Sequence, residues 1–218
     1  FISPAQTNLD LKQLDADIYV GACHKWMCAP KGVSFLYAKD SLRDSIEPLV
    51  VSWGWRDEML NEKSKYINNH QWQGTNDLSA YLTIPKVIRF LNQNNWNDIS
   101  TECHNLILYV KNQFKIDKSL CSPTSNNDKH LGQMLSFQLD ENNKISIAVK
   151  EDPSKIVELQ KTIFKQSNIH IPIIYWNGSV FMRVSIQAYN TKDDINKMFD
   201  MLKYFNLNKT LLTINRLR

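Results

Sequence analysis

Apolar and polar positions fall into two textures along the chain, changing near residues 115–130. In the first, short unbroken apolar runs stand among polar loops. Residues 17–22 (DIYVGA) and 32–38 (GVSFLYA) each read as a short buried strand, because continuous apolar runs bounded by Gly, Pro and charged residues fit a strand covered on both faces. The stretch between them carries His24-Lys25-Trp26 and so becomes a loop at a sheet end, where α/β proteins usually place ligand chemistry. Residues 47–65 hold no clean period and read mostly as loop. Gly74-Thr75-Asn76-Asp77 then supplies a turn and a helix N-cap. Leu78, Leu82, Pro85, Val87, Ile88 and Leu91 follow at helical spacing, and Pro85 inside that run predicts a late start, a kink or a break. A second helix is predicted over 95–114, with Trp96, Ile99, Cys103, Leu106, Ile107 and Val110 on one face.

Beyond the polar stretch 121–129, residues 134–139 alternate as a strand, and 145–149 is a candidate for another. A helix capped near Asp152-Pro153 carries Ile156, Leu159 and Ile163 to about Gln166. Residues 169–176 and 179–186 read as strands around Asn177-Gly178, a strong hairpin signal. A last helix over 193–204 bears Ile195, Met198, Phe199 and Leu202. Strands, helix, hairpin and helix describe a small α+β layer, and no internal repeat is visible.

Composition narrows the class. With 43% hydrophobic and 22% charged residues, the 218-residue chain has an ordinary folded-protein mix, which excludes disorder and low-complexity architectures. Lys and Arg total 26 against 22 acids, and the excess is scattered rather than gathered into a basic, aromatic-interleaved groove, so no nucleic-acid partner is expected. The longest apolar stretches, 106–110 and 169–176, fall far short of the roughly 18 residues that cross a bilayer, so no membrane span is expected. No basic segment followed by an apolar one heads the chain, and it opens at Phe1 as if inside a folded unit; an N-terminally truncated fragment or a processed product is the expectation. Cys23, Cys28, Cys103 and Cys121 form no framework, which fits reduced thiols and a cytoplasmic location. The histidines are too dispersed for a zinc site, and no metal is expected.

Lys25 carries the chemistry. An amine kept from water loses its proton more readily and becomes available as nucleophile or base, which is what a Schiff base with an aldehyde requires. Spacing alone favours a plain surface lysine in a polar loop. The stretch DADIYVGACHKWMCAPKGVSFLYAKD, however, resembles the cofactor-lysine segment of class V aminotransferase-type pyridoxal-phosphate enzymes, and is most similar to their isopenicillin N epimerase-like branch. Gly74–Asp77 (GTND) resembles the family's Gly-Thr turn, and RVSIQAYNTKDDI at 183–195 resembles its late arginine segment. Three motifs in order over most of the chain are more specific than any one of them.

The resemblance implies an α/β fold: the C-terminal part of a fold type I pyridoxal-phosphate enzyme. Residues 1–115 would be the latter part of the cofactor-binding large domain, a remnant of its sheet with connecting helices. Residues 116–218 would be the small C-terminal α+β domain. It implies pyridoxal 5'-phosphate on Lys25, the catalytic lysine and proton shuttle, and His24 against the cofactor's phosphate side. Gly74 and Thr75 would donate to that phosphate across a homodimer interface. Arg183 would hold the α-carboxylate of an amino-acid substrate, a planar fork suited to bidentate binding. The expected reaction is that of an epimerase or carbon–sulfur lyase at the α-carbon, with transamination, or a truncated non-catalytic interaction module, as alternatives.

Two departures qualify the resemblance. The family's ring-nitrogen aspartate and ring-stacking residue belong upstream of the first strand, before this sequence begins. Residues 167–182 (SNIHIPIIYWNGSVFM) hold no cysteine where cysteine desulfurases carry their nucleophile, so sulfur relay is disfavoured.

Overall fold

A computed structural model of the chain describes residues 4–55, 64–116, 121–123, 127–128 and 131–207. Part of the loop predicted over 47–65, part of the polar stretch 121–129 and most of the expected domain boundary lie outside the described residues. Contacts divide the chain into two compact units, one ending at Asn97 and one starting at Asp98.

In the first unit, Asp10 caps helix α1 (Leu11–Leu14), its carboxylate accepting from the backbone N–H of Lys12 at 2.9 Å and of Gln13 at 3.1 Å. Strands β1 (Ile18–Ala22) and β2 (Ser34–Ala38) pair antiparallel, from Ile18 opposite Ala38 to Ala22 opposite Ser34. Both predicted strands are therefore present, but neither is buried on both faces: Ile18 is 50% and Leu36 39% exposed. Gly21 is required at the tight end of this hairpin, where a Cβ would collide with the Phe35 ring. After α2 (Asp40–Arg43) and a single 3-10 turn at Trp53–Trp55 comes α3 (Lys65–Gln71), a helix the sequence pattern does not show. Its backbone packs directly on Gly54, where a Cβ would strike the Asn68 carbonyl. The run after Asp77 forms α4 (Ser79–Leu82) and α5 (Ile84–Gln93), and Pro85 opens α5, so the break expected at that proline occurs.

The second unit contains most of α6 (Trp96–Ile116), the predicted long helix. Strands β3 (Cys121–Pro123), β4 (Met134–Leu139), β5 (Ile173–Trp176) and β6 (Ser179–Ser185) form an antiparallel sheet in the order β3-β4-β6-β5. Alternation sends Leu135, Phe137, Leu139, Val180, Met182 and Val184 to one face, where they meet α6 and the helices α7 (Lys144–Glu151), α8 (Ile156–Ser167) and α9 (Lys192–Leu207) in one core. Phe114 of α6 centres it, with ring centroids 4.3 Å from Phe137 and 4.8 Å from Phe199.

The candidate strand at 145–149 is instead the helix α7. Ile145, Ala148 and Val149 are buried at i, i+3 and i+4 while Ile147 is 42% exposed, a helical period hidden in a short β-branched run. Asn143 starts it, its side chain accepting from the Ile145 N–H at 3.0 Å. The hairpin is as predicted: Asn177 (φ 48°) and Gly178 (φ 75°) both take the left-handed conformation that a two-residue turn of this hand needs.

Candidate functional site

Lys25 stands on the loop that joins β1 to β2. The loop is braced by its own main chain: Cys23 N–H donates to Val33 O at 2.9 Å, Ala29 N–H to Cys23 O at 3.0 Å, and Cys28 N–H to Lys25 O at 3.0 Å. Cys23, Ala29 and Val33 are buried against Met27, Phe35, Ala80, Ile84 and Val87, so α4 and α5 pack on the lysine loop. Trp26 is buried beside Lys25, while Lys25 itself is exposed. The apolar setting that the sequence argument gives this amine is thus not supplied by the described residues. What the loop supplies is position, in a turn closed by Cys28 at φ 59°. Among the described residues the Lys25 amine has no hydrogen bond or ion pair, which leaves it free to condense with an aldehyde.

His24 is half-buried, and its Nδ1 lies 3.2 Å from the Val33 carbonyl, the tautomer with Nδ1–H being the one that can donate there. That contact fixes the ring as part of the loop and leaves Nε2 as its second polar position. Burial pushes the Cys23 and Cys28 thiols up from their ordinary value, so neither cysteine beside Lys25 is an activated thiolate.

Gly74 (φ 99°) and the exposed Thr75 form the turn before α4, in the same unit as Lys25. Asp77 closes that turn by accepting from the Ser79 N–H at 2.8 Å, and this bond holds its carboxyl below the usual range. Thr75 is left with its hydroxyl and the backbone of a glycine turn, a donor set that fits a phosphate. Among the described residues no hydrogen bond joins Gly74 or Thr75 to His24 or Lys25.

Arg183 belongs to the second unit, and its place is described there alone. Its neighbours in β6, Met182 and Val184, face the core, so Arg183 lies on the other face, opposite Ser136 of β4. Its Nε is buried with no hydrogen-bond partner, and among the described residues no carboxylate pairs with the side chain. A buried guanidinium nitrogen left unsatisfied costs about 1–3 kcal/mol, which marks a position waiting for an acceptor. Arg183 lines a cavity of about 480 Å³ between the segment 167–172 and the start of α9, with His170, Tyr189, Asp194 and Lys197. Asn190 shapes its floor by holding the strand-to-helix turn: its carboxamide oxygen accepts from Gln187 N–H at 2.9 Å, and its own N–H donates to Gln187 O at 2.8 Å. His170, Tyr189 and Lys197 were not legible as site residues, because they come from a loop and a helix whose approach to Arg183 no spacing announces.

Among the described residues no group of three or more His, Cys, Asp or Glu is placed to hold a metal ion, and no helix is long and apolar enough to cross a membrane.

Comparison with known proteins shows the family. Residues 4–198 match the family model described as aminotransferase class-V. The chain is 25% identical over 209 residues to an isopenicillin N epimerase of Amycolatopsis lactamdurans, covering 92% of this chain and 50% of the relative. It is also 25% identical over 206 residues to a probable chloroplastic L-cysteine desulfhydrase of Arabidopsis thaliana, covering 89% of this chain and 41% of that protein. Among solved structures, a cysteine desulfurase from Thermococcus onnurineus NA1 in its apo form superposes with a TM-score of 0.63 at 17% identity, over 93% of this chain and 50% of that one. The chain therefore spans about half the length of the curated relatives it matches.

Proposed function

The chain belongs to the class V aminotransferase family, and from that premise we propose that it forms the lysine- and arginine-bearing part of a pyridoxal-phosphate enzyme acting on an amino acid at its α-carbon. The observation that carries this reading is the unpartnered Lys25 amine on a loop rigidly braced by its own main chain. Pyridoxal phosphate, when bound, supplies an electron sink for the charge left at the α-carbon as a bond there breaks. Lys25 would hold the cofactor through its amine and would move the proton at the substrate's α-carbon. His24, oriented by its Nδ1 contact with Val33 O, would offer Nε2 to the phosphate side. The Gly74-Thr75 turn donates to a phosphate, in the homodimer to that of the second subunit. Arg183 takes the substrate's α-carboxylate on its fork and so gives its buried Nε the acceptor it lacks.

Epimerisation and β-elimination with carbon–sulfur cleavage both start with loss of the α-proton, and the same residues serve either; transamination is the third outcome open to them. A persulfide relay is opposed by the absence of cysteine from 167–182 and by the raised thiols of Cys23 and Cys28. A second reading, a non-catalytic homologue that serves as an interaction module, is favoured by the exposure of Lys25.

Borohydride trapping of added pyridoxal phosphate, followed by peptide mass mapping, tests the first reading. A stoichiometric adduct confined to the Lys25 peptide is expected. Adducts scattered over surface lysines, or none, would mean that this polypeptide does not hold the cofactor by itself.

A further inference from the structure

The cavity around Arg183 holds a second, independent cation. Lys197 projects from α9, one turn past Asp194, while Arg183 comes from β6, and both line the same space of about 480 Å³. That volume lies within the range of small-molecule sites and far exceeds what one carboxylate on Arg183 would fill. Lys197 is exposed, and the described residues give it no hydrogen bond or ion pair. Two acids stand three residues from it in sequence: Asp200, which does not line this cavity, and Asp194, which does and is already committed. Its Oδ2 accepts from the Thr191 N–H at 2.9 Å and from the Thr191 hydroxyl at 3.1 Å, capping α9. These bonds, and then the charge of Lys197, hold the Asp194 carboxyl below its usual range. His170 lines the cavity as a further nitrogen donor, its ring edge-on to Phe164 at 6.2 Å. The lining thus presents two permanent cations against one carboxylate that is spoken for.

We propose that Lys197 is a specificity residue, and that this site takes an amino acid with a second acidic group, held at one end by Arg183 and at the other by Lys197. The proposal rests on the reading of Arg183 as the α-carboxylate anchor. A cation at each of two places in an otherwise adaptable cavity selects a ligand with two acidic groups over its singly acidic isostere, because the isostere leaves one cation without a partner. Lys197 sits at an exposed helix position, so the discrimination expected is that of an accessible ion pair: about three- to fivefold in affinity, shrinking as salt is raised.

The test uses glutamate and glutamine, isosteres that differ in the distal group alone, on the purified protein loaded with pyridoxal phosphate. Apparent dissociation constants come from the cofactor's absorbance, and the 15N signal of the Arg183 Nε reports on the α-carboxylate anchor separately. The expected result is tighter binding of glutamate, with both ligands shifting the Arg183 signal. Lys197→Ala should erase the preference without weakening glutamine, and Lys197→Arg should restore it. Equal affinities in the unaltered protein, with the Arg183 signal still shifting, would overturn the role of Lys197 and leave the anchor intact. Absence of any ligand-dependent shift at Arg183 would overturn both.

Discussion

At the scale of single residues, Lys25 and Arg183 invite opposite experiments because their surroundings differ. Lys25 is exposed and unpartnered, so Lys25→Ala should leave the circular dichroism spectrum and the denaturation midpoint within about 0.5 kcal/mol of the unaltered protein. The same change should abolish the borohydride-trapped adduct; an unchanged adduct would remove Lys25 from the reaction. Arg183 is half-buried, with its Nε buried and without an acceptor, so folding leaves that nitrogen unsatisfied at a cost of about 1–3 kcal/mol. Arg183→Met should therefore raise stability by about 1 kcal/mol in urea titrations while losing amino-acid binding, the pattern of a residue kept for function at the expense of the fold. A destabilised Arg183→Met variant would mean that the guanidinium serves the sheet instead. Both residues were singled out by the resemblance of ordered motifs, since spacing alone favours a plain surface lysine at position 25. Lys197 was not, because a lysine on an amphipathic helix is what that pattern predicts everywhere.

Elements divide by whether their signal is local. The hairpin at Asn177-Gly178 was legible because two left-handed residues fix the turn by themselves, whereas α7 was misread because Ile145–Val149 is too short for strand and helix periods to differ. The polar residue before the run, Asn143, decides the matter: its side chain satisfies an N–H that a helix start leaves open. Asn143→Ala should cost about 1 kcal/mol of stability by chemical denaturation, and Asn143→Asp much less. At the start of α9, Thr191 and Asp194 cap each other, with Asp194 N–H donating to the Thr191 hydroxyl at 3.3 Å. Because these bonds lower the folded carboxyl's pKa, Asp194 contributes stability above the ordinary carboxylate range. That contribution fades as pH falls from the ordinary value through the lowered one. The stability gap between the unaltered protein and Asp194→Asn should be full at neutral pH and close in acid; a gap that stays constant with pH would assign it to something other than the ionised cap. The helix α3 was illegible for a different reason. It depends on the close approach of Gly54 to Asn68, a contact between segments that no periodicity records.

For the whole molecule, the contrast between the two units matters more than any single element. The second unit closes a core of its own around Phe114, Phe137, Met182 and Leu202, each nearly inaccessible. The first unit buries Cys23, Trp26, Ala29, Val33 and Ala38 but leaves Leu49 at 99%, Leu82 at 78%, Trp53 at 68% and Val51 at 62% exposure. Leu49, Val50, Val51 and Trp53 are exposed within five consecutive residues, which is more than scattered exposure and marks a segment built to be covered. In the reading proposed above, a second subunit and the remainder of a family-length enzyme would cover it. A fragment of residues 98–207 should therefore unfold in one cooperative transition. A fragment of residues 4–97 should bind a hydrophobic dye such as ANS and melt without a sharp midpoint, because it cannot bury enough apolar area to offset chain entropy. Cooperative, dye-free unfolding of residues 4–97 would show that its sparse core suffices, and that the exposed leucines and tryptophans need no partner surface.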